Sequence, residues 1–348
     1  MLDRVLAQTA SESYSDAYCP SGDGKILSRE ILIDNTALVT GAEGFIGSHL
    51  VKYLQAKGWT VIGTYYKSPD SNSLPRLPNL RFVHCDLRNG QRLTQLFSEY
   101  EPSHVFHLGA QSLPTVSWAD PVSTFESNVM GSLHLFEAVR YMKHSPVVVS
   151  ACSSAEYGHV PASAVPVTEE QPLQPLHPYG ISKVCLDLLA REYFLDYKIP
   201  AVNLRLFNTT GPGKTDDAPS DFVRQLVRIK KGLQRPVIEV GNLKPRRAFL
   251  HVNDVVRGFY LAAVKGKRGE SYNLCASRTY EIRAILRTAI RLSGVKPEIR
   301  PVPRLMRPSD ETIIFGSTKK IRKDTGWKPL LSIGQILKGM LEYWHRVI

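Results

Sequence analysis

Ala37-Leu38-Val39-Thr40-Gly41-Ala42-Glu43-Gly44-Phe45-Ile46-Gly47 joins a short apolar run to three glycines spaced three residues apart. A segment of helical period, Phe45–Lys57, follows without a break. Glycine at these positions permits a tight turn, a close approach of the backbone to a diphosphate, and close packing of a helix on a strand. The free N–H groups at the start of that helix can bind phosphate oxygens. The segment therefore predicts the strand, turn and helix that open a nucleotide-binding domain.

From Asn35 onward, β-branched runs alternate with longer segments of helical period, which predicts an α/β fold with a doubly wound parallel sheet of the Rossmann type. The runs are almost continuously apolar, as expected for strands covered on both faces. The predicted strands are Ala37–Thr40, Thr60–Thr64, Arg81–Cys85, His104–Leu108, Val147–Ser150 and Val202–Leu206. The predicted helices are Phe45–Lys57, Gln91–Glu99, Pro121–Tyr141 and Tyr179–Tyr197.

After Leu206 the predicted helices and strands are shorter and are separated by glycine and proline, as at Gly211-Pro212-Gly213. We therefore expect a polar N-terminal extension over residues 1–34 and a dinucleotide-binding domain over residues 35–206. Residues 207–348 are expected to form mainly a smaller C-terminal α/β substrate-binding region. Within that region, residues 251–274 are expected to return to the first domain.

Composition and charge narrow the classes of function. The chain has 348 residues, 43% hydrophobic and 22% charged, with a net charge of +12, which is typical of a globular protein with a basic surface. Lys and Arg occur singly or in short pairs such as Lys230-Lys231, which argues against nucleic acid and leaves polyanionic small molecules. No apolar run approaches the roughly 20 residues that cross a bilayer, so no membrane association is expected.

Cysteine usage indicates the compartment. The five cysteines include no C-x-x-C pair, so neither a disulfide framework nor a metal site is expected. The N-terminus lacks the basic-then-apolar layout of a signal peptide. These features favour a cytoplasmic protein.

The end of the second predicted strand, Gly63-Thr64-Tyr65-Tyr66-Lys67, bears on the choice of dinucleotide. An acidic residue there would bind the ribose 2′-hydroxyl of NAD. None is present, and Lys67 could meet the 2′-phosphate of NADP, so we expect NADP, with NAD possible. Arg88 is a second candidate for that phosphate, or a solvated loop cation. Asp86 would either accept a hydrogen bond from adenine or cap the following turn.

A catalytic pair is predicted at Tyr179-Gly-Ile-Ser-Lys183, which begins a helix after Pro178. Residues four apart lie on the same helix face, so the phenol and the ammonium point together. An adjacent ammonium stabilises a phenolate and would bring the tyrosine's pKa toward the working range. A hydroxyl at the carboxyl end of the fifth strand would complete the site. We expect Ser153 in that role, with Ser154 as the alternative.

The motifs together resemble the extended short-chain dehydrogenase/reductases from about Asn35 to the C-terminus. The motifs that resemble this family are Gly41–Gly47, His107-Leu-Gly-Ala110, Asn128-Val-Met-Gly131, Ser153–Gly158, Tyr179–Lys183 and Arg205-Leu-Phe-Asn208-Thr-Thr-Gly-Pro212. Within that family, Val240-Gly-Asn-Leu, Arg247–Asp254, Arg307-Pro-Ser-Asp310 and Gly326-Trp-Lys-Pro329 look most like the GDP-mannose 4,6-dehydratase and GDP-4-keto-6-deoxy-mannose reductase group. The resemblance implies a GDP-linked sugar as substrate.

The resemblance also implies roles for individual residues. Ser153, Tyr179 and Lys183 would form a catalytic triad, with Asn128 holding the triad helix or a proton-relay water. The residues implied to bind the dinucleotide are Gly41, Gly44, Phe45, Ile46, Gly47, Lys67, Asp86, Leu87, Leu108, Ala110 and Lys183. The residues implied to bind sugar and diphosphate are Asn208, Arg247 and Arg307. Asn208 could instead shape the turn before Gly211, and either arginine could pair with a carboxylate.

A homodimer or tetramer is implied as well, formed through two helices of the first domain. We expect these to be the helix containing Phe97–Tyr100, with its continuation, and Tyr179–Tyr197.

Two positions depart from the family pattern. Dehydratases of this family carry a glutamate two residues after the active-site hydroxyl, and an ungapped count back from Tyr157 puts Ala155 there. A one-residue deletion in the loop would instead pair Ser154 with Glu156. The other departure is Ala248, where the family often has an acid beside the arginine.

The departure at Ala155 favours reduction of GDP-4-keto-6-deoxy-mannose at C4. A 4,6-dehydratase is the closest alternative and a C4 epimerase the next. A dinucleotide-sensing protein without catalysis is a further alternative from another class, although such a protein has no need for Tyr179 and Lys183 in register.

Overall fold

A seven-stranded parallel sheet forms the centre of the protein, whose structure is a computed structural model that describes residues 35–67, 78–306 and 313–348. Its strands, β1 to β7, are Thr36–Thr40, Thr60–Tyr65, Leu80–His84, His104–His107, Val147–Ser153, Ala201–Leu206 and Ser271–Leu274. Their spatial order is β7-β6-β5-β4-β1-β2-β3, and every neighbouring pair is parallel. The strand order reverses between β1 and β4, which opens a crevice at the carboxyl ends of the strands. The predicted doubly wound α/β fold is confirmed.

Eleven helices, labelled α1 to α11 here, flank the sheets in the described ranges. They are Phe45–Ala56, Gly90–Tyr100, Pro114–Ala119, Pro121–Phe125, Gly131–Arg140, Pro178–Tyr197, Ala218–Lys230, Val252–Lys265, Ile282–Ser293, Lys319–Thr325 and Ile333–Val347. The single helix predicted over Pro121–Tyr141 is therefore divided. A π-helical turn, Glu126–Met130, joins α4 to α5. Asp120 begins α4 by accepting a hydrogen bond from the Ser123 backbone N–H at 3.0 Å.

The predicted strand Val147–Ser150 is three residues too short. Ala151, Cys152 and Ser153 continue the pairing with β6, opposite Leu204, Arg205 and Leu206. Because these three side chains are small or polar, a prediction based on apolar runs ends the strand too early. The extension places Ser153 at the carboxyl end of the strand.

Both faces of the central sheet are covered by helices. On one face, α1 and α8 enclose a fully buried cluster that includes Val39, Leu50 and Phe259. On the other, α2, α5 and α6 enclose a cluster that includes Leu38, Phe97 and Phe136. Burying large apolar side chains on both faces stabilises the three-layer arrangement and explains the apolar character of the strands.

The helix containing Phe97–Tyr100, α2, is one of the two helices expected at a contact between copies. Phe97 is only 1% exposed, and α2 turns Leu93, Leu96 and Phe97 toward the sheet. Its outward residues, such as Gln95 and Glu99, are polar. The outward side of α2 is therefore mainly polar, and the expected contact through it stays a prediction.

The C-terminal part of the chain has a core of its own, in which α7, α9 and α11 pack around residues such as Phe222, Leu286 and Met340. A two-stranded parallel ladder, Val237–Val240 with Glu298–Pro301, lies beside them. Between these elements in sequence, α8 packs against the central sheet and β7 is the outermost strand of that sheet. Trp327 docks the C-terminal region onto α8 by donating a hydrogen bond to the Asp254 carbonyl at 2.9 Å.

The other expectations for the chain as a whole concern membranes and cysteines. In residues 35–67, 78–306 and 313–348, none of the helices has the length and apolar character needed to span a bilayer. The four cysteines of these ranges, Cys85, Cys152, Cys185 and Cys275, are free thiols. The expected N-terminal extension over residues 1–34 lies outside the described residues.

Candidate active site

The glycine-rich loop adopts the turn that its sequence predicts. Gly41 has φ +65°, and a Cβ there would lie 2.8 Å from the Gly109 Cα. A Cβ on Gly47 would lie 2.1 Å from the Gly41 carbonyl oxygen. The Gly44 N–H donates to that same carbonyl at 3.0 Å, and α1 starts directly afterwards at Phe45. The loop thus leaves a bare cradle of backbone at a helix N-terminus, which fits the diphosphate of a dinucleotide.

A buried polar contact joins this loop to the loop after β4. The Thr40 hydroxyl accepts hydrogen bonds from the Leu108 and Gly109 N–H groups at 3.1 and 2.9 Å. It is also 2.9 Å from the Nδ1 of His107, and burial lowers the pKa of that histidine to about 3. A neutral imidazole therefore fixes the two loops against each other and brings Leu108 and Ala110 beside the glycine-rich loop.

Four charged or polar side chains gather where β2 and β3 end. The Arg88 guanidinium forms an ion pair with Asp86 at 2.7 Å and donates a hydrogen bond to the Tyr66 hydroxyl at 2.9 Å. The Lys67 ammonium lies 5.5 Å from the centre of the Tyr66 ring. Arg88 holds the pKa of Asp86 below its usual range. Both cations considered for a 2′-phosphate thus lie around Tyr66.

Glu43 also reaches this place, although its position in the glycine-rich loop does not predict a contact with the end of β2. Its Oε1 accepts a hydrogen bond from the Tyr66 backbone N–H at 2.9 Å. The carboxylate therefore stands at the end of β2, although the residue belongs to the glycine-rich loop. A sequence signal exists in hindsight, since Glu43 is the only charged residue of that loop.

Leu87 lies between the loop after β4 and the start of α5. A Cβ on Gly109 would lie 2.8 Å from its Cδ1, and a Cβ on Gly131 would lie 2.8 Å from its Cβ. The two glycines therefore let three segments meet at Leu87, on the side of the cleft where Asp86 lies.

Ser153, Tyr179 and Lys183 converge at the carboxyl end of β5. The Ser153 hydroxyl lies close enough to the Tyr179 phenol to lower its pKa. The Lys183 ammonium lies 5.9 Å from the centre of the Tyr179 ring and donates to the Ala151 carbonyl at 2.7 Å. Lys183 is 4% exposed, whereas Tyr179 is half-buried. The predicted juxtaposition of phenol, ammonium and hydroxyl is present.

The pKa of Tyr179 was expected to be lowered by Lys183, but in the structure it is raised. Burial raises the pKa of Tyr179 to about 12, while the neighbouring Ser153 hydroxyl lowers it. Lys183 does not offset the burial, because its ammonium stands over the ring and donates to a backbone carbonyl rather than to the phenol oxygen. Burial also lowers the pKa of Lys183. Tyr179 therefore keeps its proton at neutral pH, which suits a proton donor.

Asn128 ties the triad helix to the loop after β4. Its Oδ1 accepts from the Gln111 N–H at 2.7 Å, and its Nδ2 donates to the Gln111 carbonyl and to the Ser182 hydroxyl, both at 2.9 Å. The residue is 2% exposed and lies in the π-helical turn, a local widening of the kind that often occurs at functional sites. Of the two roles considered for Asn128, these contacts match the holding of the triad helix.

Glu156 points away from the cleft. Its Oε1 accepts a hydrogen bond from the Ser153 backbone N–H at 2.7 Å, and its Oε2 is 3.3 Å from the Nε of Arg205. The side chain is fully buried, and burial together with the neighbouring Asp187 raises its pKa. The Ser153 hydroxyl in turn accepts from the Ala155 N–H at 3.2 Å. Glu156 therefore holds the backbone of Ser153 in place from the protein interior and does not face a ligand.

The same buried group contains the potential metal-ligand atoms of Cys152, Glu156 and Asp187, which lie within 4.8 Å of one another. The guanidinium of Arg205 already supplies the cation there, with its Nε 2.9 Å from Asp187. Burial raises the pKa of Cys152, which keeps it a neutral thiol. These residues form an internal ion-pair cluster under β5.

The predicted substrate residues divide into two groups. Asn208 donates from its Nδ2 to the Ala248 carbonyl at 3.5 Å, which holds it next to the strand that contains Arg247. Arg247 lies in Arg246–Arg247, the middle strand of a small three-stranded sheet, and is partly exposed. Arg307 lies outside the described residues. The structure thus brings Asn208 and Arg247 into neighbouring positions.

Comparison with known proteins agrees with this architecture. Residues 38–340 match the family model described as GDP-mannose 4,6 dehydratase. The chain is 30% identical over 310 residues to the GDP-6-deoxy-D-mannose reductase of Pseudomonas aeruginosa, covering 88% of this chain and 96% of that protein.

Two solved structures have the same fold. The structure of RMD from Pseudomonas aeruginosa complexed with NADPH has a TM-score of 0.78 at 29% identity, covering 90% of this chain and 100% of that one. A UDP-glucose 4-epimerase of Thermotoga maritima with UDP-glucose has a TM-score of 0.81 at 26% identity, covering 90% and 99%. The resemblance inferred from the motifs is confirmed: the chain belongs to the GDP-mannose 4,6 dehydratase family, within the extended short-chain dehydrogenase/reductases that act on nucleotide sugars.

Proposed function

We propose that this chain is an NADPH-dependent reductase that converts GDP-4-keto-6-deoxy-mannose to the 4-hydroxy sugar. The observation that carries the proposal is the convergence of Tyr179 and Lys183, with the ammonium 5.9 Å from the centre of the phenol ring, on Ser153 at the carboxyl rim of the sheet. Because its pKa is raised to about 12, Tyr179 holds a proton that it can donate to an oxygen developing negative charge.

Each member of the triad has a distinct task in this reaction. Tyr179 donates its proton to the oxygen on C4, and Ser153 donates a hydrogen bond to the same oxygen. Lys183 anchors the site through the Ala151 carbonyl and binds the nicotinamide ribose. The tight packing around these groups keeps their geometry unchanged during proton transfer.

The cofactor would lie along the glycine-rich loop. Reduced nicotinamide supplies the hydride when it is bound. Gly41, Gly44 and Gly47, with Phe45 and Ile46 at the start of α1, would hold its diphosphate, while Leu108, Ala110, Asp86 and Leu87 would line the adenosine and nicotinamide sides. Lys67 and Arg88 would meet a 2′-phosphate, which favours NADP, and NAD is compatible with the same cradle. NADPH is bound in the similar structure of RMD from Pseudomonas aeruginosa.

The sugar nucleotide would enter from the C-terminal region. Asn208 and Arg247 lie near each other at the junction of the two regions, and the arginine can bind phosphate oxygens by paired N–H donors. Arg307 is proposed for the same diphosphate from the family resemblance. Residues 35–206 with 251–274 would thus hold the dinucleotide and the rest of 207–348 the sugar nucleotide, in a cytoplasmic enzyme.

A 4,6-dehydratase is the second candidate, supported by the family model that the chain matches. That reaction needs an acid in the cleft to move a proton during loss of water. Ala155 has no such group, and Glu156 accepts from the Ser153 N–H and contacts Arg205 in the interior. The orientation of Glu156 therefore supports the reductase over the dehydratase. A C4 epimerase ranks third.

The enzyme is proposed to form a homodimer, or a tetramer built from such dimers, through α4 and α6. Both helices expose apolar side chains, among them Val122 (68% exposed) on α4 and Leu188 (55%) on α6. A contiguous apolar groove runs over Val122, Phe125 and Met130 next to them. Apolar surface of this kind is typical of a contact between copies.

Two assays separate the candidates. In the first, NADPH absorbance is followed with GDP-4-keto-6-deoxy-mannose, and stoichiometric oxidation is expected. In the second, GDP-mannose is supplied without added dinucleotide, and no product is expected. Conversion of GDP-mannose in the second assay would replace the reductase by the dehydratase, because that reaction regenerates its own cofactor.

A further inference from the structure

The end of β2 lacks an acidic residue in sequence but holds a carboxylate in space. Glu43 belongs to the turn after β1, and its Oε1 accepts from the Tyr66 N–H directly after β2, at 2.9 Å. In a dinucleotide-binding fold, an acid at this place binds the ribose hydroxyls of the adenosine half. Glu43 therefore occupies the position from which a 2′-hydroxyl is recognised.

The Glu43 carboxylate has hydrogen-bonding capacity to spare. Its Oε2 is shielded from solvent and has no hydrogen-bond partner among the described residues. An ionised carboxylate has about four lone-pair sites, and one Tyr66 N–H uses only one of them. A shielded acceptor without a donor is costly, so such an atom points to a donor that arrives with a ligand. The hydroxyl of a ribose is a donor of the required kind.

The charges around Tyr66 do not specifically favour a ligand with a 2′-phosphate over one with a 2′-hydroxyl. Arg88 is already paired with Asp86 at 2.7 Å and lies 3.7 Å from Glu126. With Glu43, three carboxylates therefore surround the two cations Lys67 and Arg88 in this part of the described chain. A 2′-phosphate would bring about −2 more charge next to Glu43, whereas a 2′-hydroxyl brings none.

We propose that Glu43 sets the discrimination between NAD and NADP in this chain. Its carboxylate accepts a hydrogen bond from the ribose 2′-hydroxyl of NAD and opposes the 2′-phosphate of NADP, which Lys67 and Arg88 attract. The outcome is a site that accepts both dinucleotides, with Glu43 as the residue that keeps NAD competitive. This inference rests on the proposed function only in requiring that the chain binds a nicotinamide dinucleotide.

Glu43→Gln tests the proposal, because glutamine has the same shape and its amide oxygen can still accept from the Tyr66 N–H. Dissociation constants for NAD⁺ and NADP⁺ are measured by isothermal titration calorimetry on the full chain. We expect the ratio Kd(NAD⁺)/Kd(NADP⁺) to rise about tenfold or more, the effect typical of losing one charged hydrogen bond. Glu126→Gln is the matched control, since it removes one negative charge near Arg88 without the contact to Tyr66, and its ratio should change less than about threefold.

A second probe tests the contact without relying on the variant's folding. The wild-type chain should bind NAD⁺ that lacks the 2′-hydroxyl of its adenosine ribose about tenfold more weakly than NAD⁺ itself, because only the proposed hydrogen-bond donor is missing. Equal affinities for these two ligands, or an unchanged NAD⁺/NADP⁺ ratio in Glu43→Gln, would overturn the role of Glu43 while leaving the reductase proposal intact. A wild-type chain that binds neither dinucleotide would overturn both.

Discussion

Tyr179 is the residue on which the proposed chemistry depends, because its half-buried phenol has a serine hydroxyl and an ammonium as neighbours. Replacing it by phenylalanine removes the proton donor and preserves the ring. We expect the kcat for keto-sugar reduction to fall by about 10²–10⁴-fold with Kd for NADP⁺ nearly unchanged. Steady-state kinetics and calorimetry measure the two quantities. An unchanged kcat in Tyr179→Phe would contradict the role of Tyr179 as proton donor, whereas dinucleotide binding without turnover in the wild-type chain would favour the dinucleotide-sensing alternative.

Glu156 provides a second prediction for a single residue, because its role differs between the candidate reactions. As a buried support for Ser153, it should tolerate Glu156→Gln with less than about a threefold change in kcat, since the amide oxygen can accept the same N–H. As the dehydratase acid, the same change would cost about 10²–10⁴-fold. Product analysis by nucleotide-sugar chromatography distinguishes the two results.

Glu156→Ala supplies the matching stability test. Removing the side chain leaves the Ser153 N–H and the Arg205 guanidinium short of a buried acceptor. We expect a loss of about 2–4 kcal/mol in the free energy of unfolding, measured by urea denaturation. A loss below about 0.5 kcal/mol, the size typical of surface substitutions, would contradict the supporting role.

The glycine-rich turn and α1 act as one element, and Gly47 controls their approach. A methyl group on Gly47 would lie 2.1 Å from the Gly41 carbonyl oxygen, so α1 must move away from the loop in Gly47→Ala. Because the phosphate-binding N–H groups move with it, we expect affinity for either dinucleotide to fall by about 100-fold or more. The control is Gly339→Ala on α11, where a Cβ meets no atom within 4 Å. Equal affinities for the two variants would contradict the predicted cradle.

The central elements were also the most predictable from sequence. The apolar runs of β1 to β6 are continuous because helices cover both faces of the sheet, and their ends were placed within three residues. The π-helical turn Glu126–Met130 was missed, since the residues on either side of it, Phe125 and Gly131, keep helical φ and ψ. Its cause is tertiary: the wider turn directs Asn128 toward both Gln111 and Ser182.

At the scale of the whole molecule, the apolar faces of α4 and α6 predict assembly. A charge at the centre of the proposed contact should separate the copies, so we expect Val122→Glu combined with Leu188→Glu to elute as a monomer in size-exclusion chromatography with light scattering. Leu233→Glu is the control, because Leu233 is 55% exposed but lies outside both helices. An unchanged mass for the double variant would place the contact elsewhere.

The stability of the whole chain should depend on pH through its buried histidines. Burial lowers the pKa of His104 and His251 to about 4 and that of His107 to about 3. The unfolded chain binds these protons near pH 6.5 and the folded chain does not, so stability present above pH 6.5 is lost as the pH falls. Urea unfolding between pH 7.5 and 5 should show a decline approaching about 1.4 kcal/mol per pH unit for each such histidine. His107→Gln should reduce the slope of the free energy of unfolding against pH by the contribution of one histidine, about 1.4 kcal/mol per pH unit.

The sequence by itself determined the fold class, the glycine-rich turn and the register of Tyr179 with Lys183. Each follows from local spacing, because helical and strand periodicity and the freedom of glycine act over a few residues. The tertiary structure alone decided where two carboxylates point. Glu43 reaches Tyr66, 23 residues away, and Glu156 turns inward to Arg205 on the neighbouring strand. Such contacts depend on which strands the sheet places side by side and on burial that favours paired charges, neither of which local spacing encodes.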